Sequence, residues 1–576
     1  MLVQLPSKFL LTIGVLMSLV YCTRSSSKPI QAEHINFAEA MSQWENQKFS
    51  MFIHWGLYSI PAGVWNEQQI NGYSEQIKGH AKISTTEYRK LATHFNPAYW
   101  DADSVALLAR EAGMKSIVIT AKHHDGFCLF DSKFTTFDVV DATPYKKDIL
   151  EDLAAACSRH DLKFGVYFSL IDWDYEGATP FVSVRNSDSI PALHHQYNLN
   201  QVEELLTNYG EISEIWFDMG APTYDQSKEI ATLVKLLQPN CLISGRIWND
   251  QGDFVVMGDN RKPDFKMGVP WQTPASMFPE TWSYRSWQER PDTESKIKEK
   301  IHDLISVVSS GGNYLLNIGP KADGSIVPFE RQVLQGIGEW LKVNGEAIYG
   351  TTTIPAELPD WGSITKKKGK LYLHVINFPE NNKLVVGGIN AEFKRAYPLA
   401  DSNLSLKYTI QQKEMEIDLT NLKNRDQYAT VVALVFEDEL VCTPEKIIHP
   451  NEEGAFILTW DNAVKLHSFS GQDYYSTKAT VVKIKWYISE NEREMYDAYL
   501  AHLDRNTGLL KLRVNNTAYS ISTPDVKEEL KNESFNQAFK DVSLFPDKIN
   551  EIELSLGDQR NPHKGFSLEE LEIRIK

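Results

Sequence analysis

Cysteine and positive charge are both scarce in this chain. Only 5 of its 576 residues are cysteines, and none lies in a Cys-x-x-Cys pair, so the sequence indicates neither a zinc site nor a disulfide framework. Lysine and arginine together number 59 against 76 acidic residues, which leaves a formal charge of −17. That balance argues against nucleic acid, or an anionic membrane surface, as a partner. The cysteines that we expect to be small buried side chains are Cys128, Cys157, Cys241 and Cys442.

Signatures for nucleotide and metal binding are missing as well. No GxGxxG or Walker sequence follows a strand-like run, which disfavours a nucleotide fold, and we expect no cofactor. The histidines form no HxH or HExxH pattern, so the sequence gives no metal site. What remains is an ordinary globular composition, 42% hydrophobic and 23% charged. A chain of this length is too long for one core, and two to four domains are expected.

The first 22 residues have the features of an export signal. Residues 9–20 form an apolar run that is too short to span a bilayer. Lys8 precedes the run and polar residues follow Cys22, as in a secretory signal. Residues 19–22 resemble a bacterial lipoprotein cleavage site, although Tyr21 is bulky where a small residue is usual. We therefore expect an exported protein, periplasmic or anchored to the outer membrane, without a transmembrane span; the sequence leaves lipidation of Cys22 open.

From residue 35 to 348 the pattern alternates between strands and helices. Repeated units of this kind predict a parallel sheet covered by helices, and their number fits a (β/α)8-type, TIM-like catalytic barrel of the α/β class. The strand-like runs are residues 50–55, 116–121, 163–169, 212–217, 241–246 and 313–318. The helix-like stretches are residues 101–112, 147–160, 193–208, 225–238, 294–309 and 328–344.

Helical periodicity disappears after residue 349. Strand-like runs at 370–376 and 428–436, with a turn at 379–382, predict a β-sandwich over residues 349–440. Residues 441–576 contain further short strand-like runs and are interpreted as a second β-domain. This domain is either carbohydrate-binding or a structural brace, depending on whether its aromatic residues form a stacking platform or a core: Trp460, Tyr474, Tyr475 and Trp486.

Polar side chains follow three of the strand-like runs, at the point where each run ends. His54 lies at the end of the first run, His123 and His124 follow the second, and Asp218 directly follows the fourth. For any one of these groups alone, a solvated side chain beyond a core strand is the simpler interpretation. Because the carboxyl ends of parallel strands meet at one rim of a barrel, we expect the four groups to share a cleft. Imidazoles and a carboxylate in one cleft favour carbohydrate chemistry.

Four segments occur in an order that matches a known family. They are Phe-Ile-His-Trp-Gly at 52–56, Ala-Lys-His-His-Asp-Gly-Phe at 121–127, Ile-Trp-Phe-Asp at 215–218, and the run from Ser-Ser-Gly-Gly-Asn to Asn-Ile-Gly-Pro at 309–320. Together they resemble the family 29 glycoside hydrolases, the α-L-fucosidases, over about residues 35–440. The resemblance implies a retaining exo-α-L-fucosidase with an Asp nucleophile, acting on terminal fucose of oligosaccharides or glycoconjugates.

The resemblance also implies roles for individual residues. Asp218 matches the nucleophile, and Trp216 beside it is expected to shape the floor of the pocket. Neutral imidazole suits a sugar hydroxyl because it donates at one nitrogen and accepts at the other. Glu75 lies where the family has a Glu-Trp pair, but Gln76 replaces the Trp here. The other residues that match substrate-binding positions are His54, His123, His124, Tyr167, Arg246 and Trp282.

The general acid/base is less directly indicated. Residues 270–284 resemble the region that carries it, where many members have Trp-Glu, but this chain has Gln272 after the Trp. An amide cannot cycle a proton, and retention needs a second carboxyl group. Glu280, in the same stretch, is the nearest replacement. Asp259 lies near another position where relatives place an acid, and the lack of any acid/base is the third alternative.

Two other functions are compatible with these residues. A fucose-binding protein whose catalysis has decayed would follow from Gln272. A metal-dependent barrel hydrolase would use the histidine cluster. Adjacent residues such as His123 and His124 point to opposite sides of a strand, however, and rarely chelate one ion together.

Overall fold

The computed structural model describes residues 36–576 apart from 177, 179, 182–189, 355–358, 412–413, 443, 445, 470–478, 491–494, 502–508, 516, 523–535, 547, 557–571 and 576. The expected signal segment with Cys22 lies outside these residues, as do Tyr474 and Tyr475. Across the described ranges, no helix combines the length and apolar character needed to cross a membrane. Three of the expected buried cysteines are free thiols in the core: Cys128, Cys157 and Cys241.

Eight parallel strands form the first sheet. The strands are β1 (Phe49–Ile53), β2 (Ser116–Lys122), β3 (Lys163–Ser169), β4 (Glu214–Asp218), β5 (Leu242–Ile243), β6 (Val255–Val256), β7 (Trp271–Ala275) and β8 (Asn313–Ile318). Their order across the sheet is β5-β4-β3-β2-β1-β8-β7-β6, and a parallel bridge between Ser244 and Phe254 connects the two end strands. The sheet therefore curls into a barrel, which confirms the expected fold class.

Helices cover the barrel, and several of them begin at a side-chain cap. The Asp148 side chain accepts a hydrogen bond from the backbone of Glu151 at the start of the helix Ile149–Arg159, and Thr223 with Gln226 forms a capping box at the start of the helix Tyr224–Leu237. Short helices at Ile77–His80 and Thr85–Arg89 lie in the connection after β1. The longer helices are α1 (Phe37–Gln47), α2 (Ala102–Glu111), α3 (Ile149–Arg159), α4 (Ala192–Asn208), α5 (Tyr224–Leu237), α6 (Thr293–Ser309) and α7 (Pro328–Asn344).

Two of the barrel strands were not predicted from the sequence. β6 has only two residues, and β7 contains Pro274, which is rare in a central strand. All five residues of β7 are nevertheless buried, and the carbonyl oxygen of Pro274 accepts a hydrogen bond from Asn260 N at 3.0 Å. Gln272 therefore lies in a strand of the barrel, paired with Asn313 at the beginning of β8.

Two antiparallel sheets follow the barrel and share one hydrophobic core. Side chains alternate in the central strand: Leu371 and Leu373 enter that shared core, whereas Tyr372 packs toward the barrel. Trp340 Nε1 of α7 donates to the carbonyl oxygen of Ala429 at 2.9 Å, which fastens the sandwich to the barrel helices. The strands are Gly362–Lys367, Lys370–Val375, Thr430–Cys442 and Ile389–Pro398 in one sheet, and Lys383–Gly387, Glu414–Asp418 and Lys407–Gln411 in the other.

The last part of the chain forms two further antiparallel sheets around a separate core. Trp486 is 1% exposed and donates from Nε1 to the Thr459 carbonyl at 2.9 Å, so it belongs to this core and is no stacking platform. Trp460 is partly buried against the same core. The strands are Phe456–Thr459, Glu572–Ile575, Met495–Ala501 and Asn536–Ser543 in one sheet, and Val464–Phe469, Ala479–Glu490, Lys548–Leu556, Leu509–Val514 and Thr517–Ser522 in the other.

This C-terminal unit docks on the loop that leads into β7. His467 N donates to the Lys266 carbonyl at 2.9 Å, and Gly268 N donates to the His467 carbonyl at 2.8 Å. The rings of Phe265 and Phe469 lie 5.5 Å apart. Because the loop precedes the strand, the contact is at the lower end of the barrel, where the strands begin.

Candidate active site

Asp218 ends β4 at the upper rim, which we define as the end of the barrel where the strands end. Tyr167 Oη donates to its Oδ2 at 2.9 Å, and Arg246 Nη1 donates to its Oδ1 at 3.0 Å. The Asp218 side chain remains 15% exposed. Each carboxylate oxygen thus has a protein donor, and the group is held in a fixed orientation while solvent still reaches it.

Arg246 links this carboxylate to a second one. It lies in the short turn after β5, and its Nη2 donates to Asp259 Oδ1 at 2.6 Å and to the Met257 carbonyl at 3.2 Å. Its guanidinium also lies 5.1 Å from the centre of the Trp216 ring. Asp218 and Asp259 therefore share one cation.

His54 is oriented by an asparagine on the neighbouring strand. Asn317 Nδ2 donates to the Trp282 carbonyl at 2.5 Å, so its Oδ1 is the atom that accepts from His54 Nδ1 at 2.7 Å. This pairing leaves His54 Nε2 as an acceptor. Burial lowers the pKa of His54 to about 4, outweighing the opposite effects of Asn317 and Asp218, so the ring is neutral near pH 7.

His123 and His124 form the opposite wall. His123 stacks on Tyr167 with ring centres 5.1 Å apart, and His124 stacks on Trp173 at 3.8 Å. In the described part of the chain, no group forms a hydrogen bond with His123 Nδ1 or with either ring nitrogen of His124. Burial lowers the pKa of both rings well below the usual value. Two neutral, buried imidazoles therefore keep hydrogen-bonding capacity for another molecule.

The turn after these histidines explains the glycine of their motif. Gly126 has φ +87°, and a Cβ there would lie 2.2 Å from Asp172 Oδ1. A side chain at this position would displace the segment that carries Trp173, against which His124 packs. Packing and the positive φ therefore both favour glycine at position 126.

Aromatic rings form the floor and one side of the cleft. Trp216 is 1% exposed and contacts Phe52 and Tyr167, with ring centres 5.1 and 5.8 Å away. Trp282 lies 5.1 Å from the ring of His54. The contact between His54 and Trp282 joins residues that are 228 positions apart in the sequence.

Glu75 anchors the loop that carries Trp282. Its Oε2 accepts from the backbone nitrogens of Trp282 and Ser283, at 3.2 and 3.0 Å, and it is 2% exposed. Burial raises the pKa of Glu75, against the effect of these backbone donors. On the other side the loop touches the end of β8, because a Cβ at Gly319 would lie 2.6 Å from Tyr284 N.

The acid/base candidates differ in position. Gln272 is 1% exposed inside the barrel, where its Oε1 accepts from Trp216 Nε1 at 2.8 Å, so this position lies below the pocket floor. The lack of a titratable carboxyl group at position 272 therefore says nothing about catalysis, and the motivation for a decayed enzyme disappears. Glu280 is exposed on the loop of Trp282, and Gln288 Nε2 lies 3.4 Å from its Oε2. Asp259 is paired with Arg246.

Sequence reasoning missed Asn317. It lies in the Asn-Ile-Gly-Pro motif, which was recognised, but its side chain received no role. A polar residue near the end of the otherwise apolar strand β8 was the available signal. Among the described residues, no three His, Cys, Asp or Glu side chains are grouped so that they could hold a metal ion.

Comparisons with known proteins show which family the chain belongs to. A family model described as alpha-L-fucosidase matches residues 19–346. The human plasma alpha-L-fucosidase is 31% identical over 381 residues, covering 61% of this chain and 79% of that protein. A crystal structure of alpha-L-fucosidase from Vibrio sp. strain EJY3 is 26% identical with a TM-score of 0.64, and covers 93% of this chain and 97% of that one. The similarity to the Vibrio structure extends into the C-terminal unit.

One solved structure also bears on stereochemistry. The family 29 alpha-L-fucosidase from Bacteroides thetaiotaomicron is 28% identical to this chain, with a TM-score of 0.63, and the match covers 69% of this chain and 96% of that one. Its crystal structure holds a trapped covalent intermediate in complex with 2-fluoro-fucosyl fluoride. It was obtained with a Glu-to-Gln variant. A covalent intermediate is the signature of retaining hydrolysis. The present chain belongs to the α-L-fucosidases of glycoside hydrolase family 29 and is a retaining glycosidase.

Proposed function

We propose that this chain removes terminal α-L-fucose from glycans with Asp218 as nucleophile and Glu280 as general acid/base. The observation that carries the proposal is that Tyr167 and Arg246 each donate a hydrogen bond to the Asp218 carboxylate at the upper rim. A nucleophilic carboxylate must be aimed at the anomeric carbon, and two fixed donors aim it. Arg246 also forms an ion pair with this carboxylate at 3.0 Å.

The histidines are proposed to bind the hydroxyl groups of the sugar. His54 Nε2 is left as an acceptor by the Asn317 contact, and the ring nitrogens of His123 and His124 have no described protein partner. Trp282, beside His54, supplies an apolar surface that suits the methyl group of fucose. A site built this way penalises sugars that lack one of the hydroxyls, because its own buried polar groups would stay unpaired.

Glu280 is favoured over Asp259 as acid/base by their contacts. Asp259 is bonded to Arg246, and that contact suits it to holding the guanidinium. Glu280 is reachable from solvent on the loop that Glu75 anchors, two residues before Trp282. A retaining enzyme needs its second carboxyl about 5–5.5 Å from the nucleophile and open to the leaving group and then to water.

The test compares leaving groups. Glu280→Ala is expected to cripple hydrolysis of natural fucosides, whose alkoxide leaves poorly, and to spare activated aryl fucosides, because their leaving oxygen needs little protonation. The high-pH limb of the rate profile should flatten, and azide should restore turnover of the aryl substrate. Glu289→Ala, an exposed carboxylate in the same loop, is the control and should behave as the parent. If Asp259→Ala loses activity on natural fucosides but keeps it on aryl fucosides, and Glu280→Ala does not, the acid/base role belongs to Asp259.

Export and lipid anchoring at Cys22 are also proposed, on the strength of the apolar run and the sequence around the cysteine. Cells that express the full chain and are fed a labelled fatty acid should yield labelled protein in the membrane fraction. Cys22→Ala should remove the label. Equal labelling of both proteins would contradict the lipid anchor, and activity confined to the cytoplasm would contradict export.

For the C-terminal unit we propose the role of a brace. Its contact lies at the lower end of the barrel, away from Asp218, and its most buried indole, Trp486, is part of its core. A carbohydrate-binding role would require glycan affinity that survives when the active site is blocked by an iminocyclitol inhibitor.

A further inference from the structure

A continuous chain of hydrogen bonds runs through the barrel interior beneath Trp216. Trp216 Nε1 donates to Gln272 Oε1 at 2.8 Å, and Gln272 Nε2 lies 3.4 Å from Glu214 Oε2. Trp44 Nε1 donates to the same Glu214 oxygen at 3.0 Å. All four side chains are buried. Three elements are joined in this way: α1 through Trp44, β4 through Glu214 and β7 through Gln272.

The identity of each residue follows from its neighbours. A buried indole N–H needs an acceptor, which the carbonyl of Gln272 supplies. The amide nitrogen of Gln272 then faces Glu214, so a carboxylate there completes the chain. A second carboxyl at position 272 would instead set two acids side by side in an apolar interior, where like charges repel strongly.

Trp216 connects this hydrogen-bonded chain to the side chains that hold Asp218. Its ring stacks on Tyr167 with centres 5.8 Å apart and lies 5.1 Å from the guanidinium of Arg246. Those two side chains are the donors that hold Asp218. A rotation of the indole would displace both of them at once.

We propose that Gln272 and Glu214 are positioning residues, which fix the Trp216 ring and, through Tyr167 and Arg246, the aim of Asp218. The inference rests on the proposed role of Asp218 as nucleophile. Neither residue touches the sugar in this arrangement. Their loss should therefore lower kcat while the histidine-lined sugar pocket, and with it KM, is largely preserved.

The first experiment exchanges the two polar groups. Gln272→Glu alone should lower kcat for an aryl fucoside by about tenfold or more, since small misplacements of catalytic groups have effects of this size, with KM within about threefold. Adding Glu214→Gln restores one amide and one carboxylate and should return kcat to near the parent value. An exchange that leaves kcat at the level of Gln272→Glu alone overturns the proposal.

The second experiment separates positioning from stability. Gln272→Met keeps the length of the side chain and removes its polar atoms, so kcat should fall with KM unchanged. Ser116→Ala, which removes a buried hydrogen bond to Ser50 Oγ at 2.7 Å on a neighbouring strand, should lower the melting temperature and leave kcat unchanged. A folded Gln272→Met enzyme with parental kcat overturns the proposal.

A double-mutant cycle identifies Trp216 as the intermediary. Trp216→Phe removes the indole N–H, so adding Gln272→Met to it should cause no further loss in kcat. Independent, multiplicative losses would overturn the proposal. The assignment of Asp218 is judged separately, by labelling the enzyme with 2-fluoro-fucosyl fluoride and mapping the modified peptide. A label on another carboxylate would refute the nucleophile whatever the cycle shows.

Discussion

Buried polar side chains at the two ends of the barrel are satisfied in different ways. At the lower end they bond to one another, as in the chain from Trp44 through Glu214 and Gln272 to Trp216. At the upper rim, His123 Nδ1 and both ring nitrogens of His124 form no hydrogen bond with any described residue. Buried donors and acceptors without partners are costly. Glu214 Oε1 also lacks a partner at the lower end, but each side chain of that chain makes at least one hydrogen bond to another, as expected for a group that orders the barrel interior. The unpaired nitrogens at the upper rim support the proposed role of these histidines in binding sugar hydroxyls.

The largest expected effect lies at the upper rim. Asp218→Ala should lower turnover by at least about a thousandfold, because in the proposed mechanism Asp218 forms the covalent intermediate. Azide should restore part of the rate with an aryl fucoside by occupying the space of the missing carboxylate. Steady-state kinetics on protein with a parental circular dichroism spectrum checks this. Near-normal turnover in this variant would contradict the assignment of Asp218 at the upper rim as the nucleophile.

A histidine at the rim should affect activity, and a buried histidine elsewhere should not. His54→Ala should weaken kcat/KM by about tenfold to a hundredfold, the range for losing a hydrogen bond to a buried group. His374 is the matched control: it is equally buried, its pKa is also lowered to about 4 by burial, and it lies in the sandwich beside Thr365 Oγ1. His374→Ala should lower the melting temperature and leave kcat/KM unchanged. Equal kinetic losses would contradict a ligand-binding role for His54.

The two ends should respond to pH with opposite sign. Burial lowers the pKa of His54 to about 4, so its penalty on stability is absent above pH 6.5 and grows as the pH falls toward 4. Burial raises the pKa of Glu214 to about 7, so its penalty is absent below pH 4.5 and grows as the pH rises toward 7. Between pH 5 and 7.5, the titration of His54 should raise the free energy of unfolding by about 2 kcal/mol, and the titration of Glu214 should lower it by about the same amount.

Variants isolate these contributions from the rest of the titration. Relative to the parent, His54→Asn should gain stability at pH 5 compared with pH 7.5, and Glu214→Gln should gain stability at pH 7.5 compared with pH 5. Denaturant unfolding at the two pH values measures both differences. Shifts of the same sign in both variants would contradict the assigned protonation states.

The smallest kinetic effect is expected at the docking site of the C-terminal unit. A Cβ at Gly268 would lie 2.8 Å from Val482 Cγ2, so Gly268→Ala should cost about 1–3 kcal/mol of stability through overpacking. Gly387→Ala, where a Cβ meets nothing within 4 Å, is the control. Thermal unfolding should separate the two variants, and kcat/KM should be parental in both. A lower kcat/KM in Gly268→Ala would show that the docking of the C-terminal unit affects the active site, and would contradict a purely structural role for that unit.

Much of the barrel could be predicted because its periodicity is local. The helix stretches and the long strands carry their own apolar patterns, which are visible in the sequence. β7 could not be found, because Pro274 and polar neighbours resemble a loop. Its assignment depends on burial against β6 and β8, which is a tertiary property.

The same division applies to the candidate site. The sequence by itself determined the residues at the strand ends, since a polar group after an apolar strand is visible in one dimension, and it determined the family through four ordered motifs. Only the tertiary structure decided that Gln272 lies under the floor, that Glu75 anchors a loop and that Asn317 orients His54. These roles depend on contacts between residues up to 263 positions apart, and a hydrogen bond of that span leaves no periodic trace in the chain.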